Sequence, residues 1–120
     1  TYSRYMAGLV FDWLKTQGGL AIMAQINQRK AQTLYDAIDR SEFYASPVSQ
    51  DCRSWMNIPF TLADPDLDAS FISQAAEQDL LSLKGHRSVG GMRASIYNAM
   101  PQDGVDALVA FMQDFEKNRA

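Results

Sequence analysis

The 120-residue chain sets 11 Lys and Arg against 14 Asp and Glu, a net charge of −3, and is 47% hydrophobic. It is therefore sized for one domain, too apolar to stay disordered, and without the basic face that phosphate-backbone binding requires, so nucleic acid is not an expected partner. Its apolar runs are a few residues long, far short of the about 20 that span a membrane, and no charged leader precedes an apolar core, so neither a membrane nor export is expected. Cys52 is the single cysteine; no internal disulfide or cysteine-based metal site can form, which fits a reducing cytoplasm, and the residue is expected as a small, half-buried hydrophobe. Thr1 is not Met and the amphipathic pattern is already running at Tyr2, so the chain is expected to be a piece of a longer protein.

Tyr2, Tyr5, Met6, Leu9, Val10, Trp13 and Leu14 recur at spacings of three and four, which predicts a helix ending near Gly18-Gly19 with an apolar stripe for a core or an interface. Met23, Ile26, Lys30, Leu34 and Ile38 repeat the spacing in a second helix from Leu20 to Arg40. The polar stretch from Ser41 to Asp51 reads as a connection. Ser54, Met56, Ile58 and Phe60 then alternate with Arg53, Trp55, Asn57 and Pro59, a strand period in which Pro59, lacking an N–H, is expected at a strand end or on a sheet edge. Asp64-Pro65 is a helix start, and Leu67, Phe71, Ile72 and Ala75 give the buried face of a third helix to about Gln78. Leu81 and Leu83 suggest a short strand, Gly90-Gly91 a turn, and Met92 to Ile96 a returning strand. After Pro101, the positions Val105, Leu108, Val109, Met112 and Phe115 predict a last helix. The expected fold class is α+β: a small, mostly antiparallel sheet of about three strands packed with about four helices, in the order α-α-β-α-β-β-α. The methionines Met23, Met56, Met92, Met100 and Met112 are read as packing fillers.

From Leu80 to Gln102 there is no Asp or Glu, so Lys84, Arg87 and Arg93 lack an acidic partner in their own segment. The run GHRSVGGMRASIYNAM, Gly85 to Met100, is therefore a candidate anion site. Arg93 follows two glycines and begins a predicted strand, which would fix a guanidinium fork that matches a carboxylate bidentately. His86 and Arg87, in the turn ahead of the glycines, could hold a second anion such as phosphate, and a dianion there would favour protonated His86. Pairing of both arginines with surface acids from other elements is the competing reading. No nucleophile motif, phosphate-binding loop or metal-ligand cluster is present, so catalytic and metal residues are expected to be absent from these 120 residues.

Gly85 to Met100 resembles the C-terminal signature of the phosphoserine aminotransferases, pyridoxal-phosphate enzymes of the aspartate aminotransferase fold type. TYSRYMAGLVFDWLKTQGGL is similar to the helix that opens the small domain of that family, INQRKAQTLYDAID to its next helix, SWMNIPFTL to its first strand and DGVDALVAFMQDFE to its closing helix. The resemblance implies that the chain is the C-terminal small domain, residues 1–120, without the large cofactor-binding domain, and that the parent is a cytoplasmic homodimer. It implies transfer of an amino group from glutamate to 3-phosphohydroxypyruvate, giving phosphoserine and 2-oxoglutarate in serine biosynthesis, and in bacteria a role in pyridoxal-phosphate biosynthesis. Arg93 would bind the substrate α-carboxylate, and His86 and Arg87 the phosphate or the glutamate side-chain carboxylate. The cofactor lysine and the groups that hold pyridoxal phosphate lie upstream in that family. Lys15, Lys30, Lys84 and Lys117 match none of them and are read as solvated surface lysines, so the chain alone is expected to be inactive. The alternative from another class is a non-catalytic regulatory domain that senses a phosphorylated amino acid.

Overall fold

The structure, a computed structural model, describes residues 2–85 and 90–118. Its order is α1 (Tyr2–Thr16), α2 (Leu20–Arg40), β1 (Tyr44–Ala45), β2 (Asn57–Leu62), α3 (Asp68–Glu77), β3 (Met92–Ser95) and α4 (Gln102–Asn118), with one-turn 3-10 helices at Gln50–Cys52 and Pro65–Leu67. Four helices and an antiparallel three-stranded sheet in the order β1-β2-β3 give the expected α+β class. The strands are distributed differently. A strand forms at Tyr44–Ala45 inside the presumed connection, because Tyr44 pairs with Leu62 and Ala45 with Thr61. The strand expected around Leu81 and Leu83 contracts to a single bridge, Lys84 with Met92. The order is thus α-α-β-β-α-β-α.

Period-two burial builds the core. Ile58, Phe60 and Leu62 on β2, with Met92 and Ala94 on β3, face α2, α3 and α4 and are buried. Phe71 of α3 sits at the centre, its ring 5.0 Å from Phe111, 5.1 Å from Phe115 and 5.9 Å from Phe60, edge-on in each case, the arrangement that ring quadrupoles favour. Tyr44 joins this cluster while its hydroxyl donates to the Met112 carbonyl at 2.7 Å. The third helix starts as its sequence indicates: the Asp64 carboxylate accepts from the Asp66 N–H at 3.0 Å and Pro65 takes the first turn.

Pro59 is a correction. It lies in the central strand, opposite Arg93. The Arg93 N–H donates to the Leu83 carbonyl, away from β2, so Pro59 and Arg93 form a non-hydrogen-bonded pair and the missing proline N–H is on the β1 side. There β1 has already ended at Ala45, so no ladder bond is lost.

Cys52 is exposed rather than half-buried, on the 3-10 turn Gln50–Cys52. Lys30 departs furthest from its sequence reading. It is fully buried, and its ammonium donates to the carbonyls of Tyr97 at 2.9 Å and Met100 at 2.8 Å, ahead of α4. Beside it Asn27 donates to the Asn98 side chain at 2.8 Å. Of the α1 stripe only Leu14 is buried; Tyr2 is 77% and Tyr5 65% exposed, and Met6, Leu9, Val10 and Trp13 are open as well. That stripe is not core within this chain. No helix among the described residues is long and apolar enough to cross a membrane.

Candidate functional site

Helices α2, α3 and α4 meet the buried face of the sheet, and none of them covers the opposite face. On that face the pairing register sets Asn57 opposite Ser95 and Pro59 opposite Arg93. The Ser95 hydroxyl donates to the Asn57 side-chain oxygen at 3.0 Å, tying the two strands beside the arginine. The segment between β1 and β2 arches across this face and closes a concavity of about 440 Å³ between Pro47, Val48, Cys52, Asn57, Pro59 and Arg93. Gly85 and Gly90 form its third side. Among the described residues Arg93 is the only charged one of this lining; it is exposed, and no carboxylate among them pairs with it. A guanidinium fork among otherwise neutral described residues suits a carboxylate or phosphate ligand, since its parallel N–H donors match two acceptor oxygens.

Glycine is needed at the rim for a physical reason. The Gly85 N–H donates to the Gly91 carbonyl at 2.9 Å, and a Cβ on Gly85 would collide with the carbonyl oxygens of Gly90 and Gly91. Gly91 itself has φ of 66° and faces the Phe60 carbonyl, 2.9 Å from where its Cβ would be. The backbone is drawn in so closely that Arg93, two residues on, enters the sheet at a fixed height. Gly85→Ala is therefore expected to destabilise the fold by about 1–3 kcal/mol by overpacking against backbone. Gly8→Ala, where nothing lies within 4 Å of the new methyl, should be neutral or slightly stabilising in its exposed helix. Urea denaturation of the two variants side by side measures the contrast.

The other predicted site residues, His86 and Arg87, lie outside the described residues. What the sequence reading missed is the set of supports. Arg53 makes a bidentate pair with Asp39, both contacts at 2.8 Å, and its guanidinium carbon sits 4.6 Å from the centroid of the Tyr35 ring. Hydrogen bonds from Arg53 hold the Asp39 carboxyl below its ordinary value. Among the described residues no group of three or more His, Cys, Asp or Glu could hold a metal ion.

A family described as Aminotransferase class-V matches residues 1–108. The chain belongs to that family. Over 98% of its length it is 64% identical to a phosphoserine aminotransferase of Ruthia magnifica, and it is 60% identical over its whole length to the one of Hahella chejuensis. It spans about a third, 33%, of each of these relatives. The solved phosphoserine aminotransferase of Bacillus circulans superposes with a TM-score of 0.96 at 46% identity, over 99% of this chain and 33% of that one. The PLP-bound phosphoserine aminotransferase of Trichomonas vaginalis gives 0.87 at 43% identity, over 94% of this chain and 33% of that one. The family resemblance read from the sequence and the α+β class agree with these matches.

Covalent attachment of a pyridoxal cofactor needs a lysine amine that faces a pocket. Lys30 is locked on two carbonyls, Lys15, Lys84 and Lys117 are exposed, and none of the four lines the Arg93 concavity. These lysines do not fit the group.

Proposed function

We propose that the chain is the C-terminal small domain of a phosphoserine aminotransferase and that its part in the reaction is to recognise the substrate anions. The observation that carries this reading is Arg93, held on a strand and, among the described residues, the only charged one lining its concavity and without a carboxylate partner. Arg93 receives the α-carboxylate common to phosphoserine, 3-phosphohydroxypyruvate, glutamate and 2-oxoglutarate. His86 and Arg87 receive the distal anion, which in phosphoserine is close to a dianion at neutral pH. A large domain carrying pyridoxal phosphate supplies the chemistry, and the open apolar stripe of α1 is the natural surface on which that domain packs. The family match and the fold favour this reading over a stand-alone sensor of phosphorylated amino acids.

The parent is read as a cytoplasmic homodimer in serine biosynthesis, with a second role in pyridoxal-phosphate biosynthesis in bacteria. The test is glutamate-dependent formation of phosphoserine by the complete polypeptide that contains this chain, with pyridoxal phosphate supplied. Replacing His86 or Arg87 by Ala should raise KM for phosphoserine more than for an alanine-like substrate that lacks the distal anion. Equal losses on both substrates would remove these two residues from the phosphate corner, and no phosphoserine formation by the unmodified polypeptide would remove the reading as a whole.

A further inference from the structure

Asn57 and Ser95 face each other on the open side of the sheet, and their contact has a direction. The Ser95 hydroxyl donates to Asn57 Oδ1 at 3.0 Å, so the carbonyl end of the amide is occupied and Nδ2, with its two N–H donors, is left over. Among the described residues no acceptor takes those donors. The backbone beneath the amide is pinned from three sides. The Ser54 hydroxyl oxygen accepts from the N–H groups of Met56 and Asn57 at 3.0 and 3.1 Å. The Tyr35 hydroxyl donates to the Ser54 carbonyl at 2.6 Å, and the Ile96 N–H donates to the Met56 carbonyl at 2.7 Å. Half-buried Asn57 lines the same concavity as Arg93. In the pairing register it is opposite Ser95, which lies two residues from Arg93 along β3. Asn57 and Arg93 are therefore diagonal neighbours on one face, about 7–8 Å apart and within the span of a long side chain.

We propose that Asn57 is a second carboxylate-binding residue of the site, its Nδ2 donating to the anion that Arg93 grips, and that Ser95 is the positioning residue that sets the amide this way round. The inference rests on the reading of Arg93 as the α-carboxylate anchor. A carboxylate offers about four lone-pair sites, and a guanidinium fork takes two of them. A neutral donor from the neighbouring strand suits one of the rest, adding a hydrogen bond to a charged group without adding a charge. Reversed, the amide would turn its oxygen toward the anion, and the Ser95 hydrogen bond holds it the other way. Ser95 does not touch the ligand and acts only through Asn57.

The test is steady-state kinetics with phosphoserine and with glutamate in the complete aminotransferase, pyridoxal phosphate supplied. Asn57→Ala should lower kcat/KM on both substrates by about 10- to 100-fold, the worth of a hydrogen bond to a charged group. Asn57→Asp keeps the shape and the acceptor for Ser95 but sets a carboxylate beside Arg93. It should be worse than Asn57→Ala on both substrates, whereas a merely structural role would leave it close to the parent. Ser95→Ala should raise KM by about threefold to tenfold, and Ser95→Thr, which retains the hydroxyl, should restore it. In an Arg93→Ala background the further loss from Asn57→Ala should shrink, because two groups that share one ligand are coupled. The same loss in both backgrounds, or an Asn57→Asp variant as active as the parent, overturns the role of Asn57 while the anchor stands. If Arg93→Ala alone leaves the kinetics unchanged, the anchor itself fails and Asn57 falls with it. Asn57→Asp, which leaves no cavity, carries the test if thermal melts show that Asn57→Ala does not fold.

Discussion

Arg93→Ala in the complete aminotransferase is expected to lower kcat/KM for phosphoserine and for glutamate together, by about 30-fold to several thousand-fold. The size follows from the about 2–5 kcal/mol lost when one member of a desolvated, hydrogen-bonded charge pair is truncated. On the proposed reading both substrates suffer because both carry the α-carboxylate, and a shared loss would separate the fork from the phosphate corner proposed at His86 and Arg87. Arg93→Lys should recover only part of the loss, since an ammonium keeps the charge but not the two parallel donors. The fold should be spared: the Arg93 side chain is on the open face of β3, and the strand is held by backbone bonds to Leu83 on one side and by β2 on the other. Steady-state kinetics on both substrates, with thermal melts as a folding control, decide it. Unchanged kinetics with either substrate would sink the assignment.

The helices were legible because their signals are local. The apolar spacing in α2 and α4, the Asp64-Pro65 start and the Gly18-Gly19 stop each lie within a few residues of the feature they specify, and each has its counterpart in the structure. The sheet was legible only where alternation was long enough to count. Tyr44–Ala45 has two residues, too few for a period, and it is a strand only because Leu62 and Thr61 lie alongside. Pro59 misled for a related reason: whether a proline costs a ladder bond depends on which neighbour its nitrogen faces, and that depends on where β1 stops. The site divides in the same way. Arg93 stood out in the sequence because an acid-free run surrounds it, but the arch of Pro47 to Cys52 that closes its concavity comes from a stretch that read as a plain connection. Arg53 and Asp39, which fix that arch, are 14 residues apart and carry no motif that links them.

Lys30 shows a signal that was present and misread, since it falls in register with Met23, Ile26, Leu34 and Ile38 on the apolar stripe of α2. A lysine on such a stripe can snorkel to solvent, which is why the sequence alone reads it as one of four surface lysines. The structure instead turns its ammonium onto the Tyr97 and Met100 carbonyls, the stretch that joins β3 to α4. Met100 is the last residue before Pro101, where the acid-free segment gives way to the helix. An ammonium is the group that can serve both carbonyls at once, with a donor for each.

Lys30→Ala is consequently expected to destabilise the protein by about 3–5 kcal/mol, because a buried polar partner is removed and a cavity is left at the same position. Lys30→Met keeps most of the volume and removes the cost of burying a charge, so its loss should be smaller, about 1–3 kcal/mol from the two carbonyls left without their donor. The pH dependence separates the two effects. Burial lowers the Lys30 pKa below 10.5, so at pH values between that lowered pKa and 10.5 the unfolded chain binds the proton that the folded chain has released. In this window the unfolded state holds more protons, and the contribution of Lys30 to stability rises with pH. At neutral pH the two carbonyls hold the charged amine against its desolvation. Lys30→Met should therefore abolish a rise in stability on the alkaline side that the parent shows relative to it, as read from denaturant midpoints across the alkaline range. A constant difference between parent and variant across that range would mean that the ammonium is better solvated than its burial implies, and would leave the carbonyl contacts as its whole contribution.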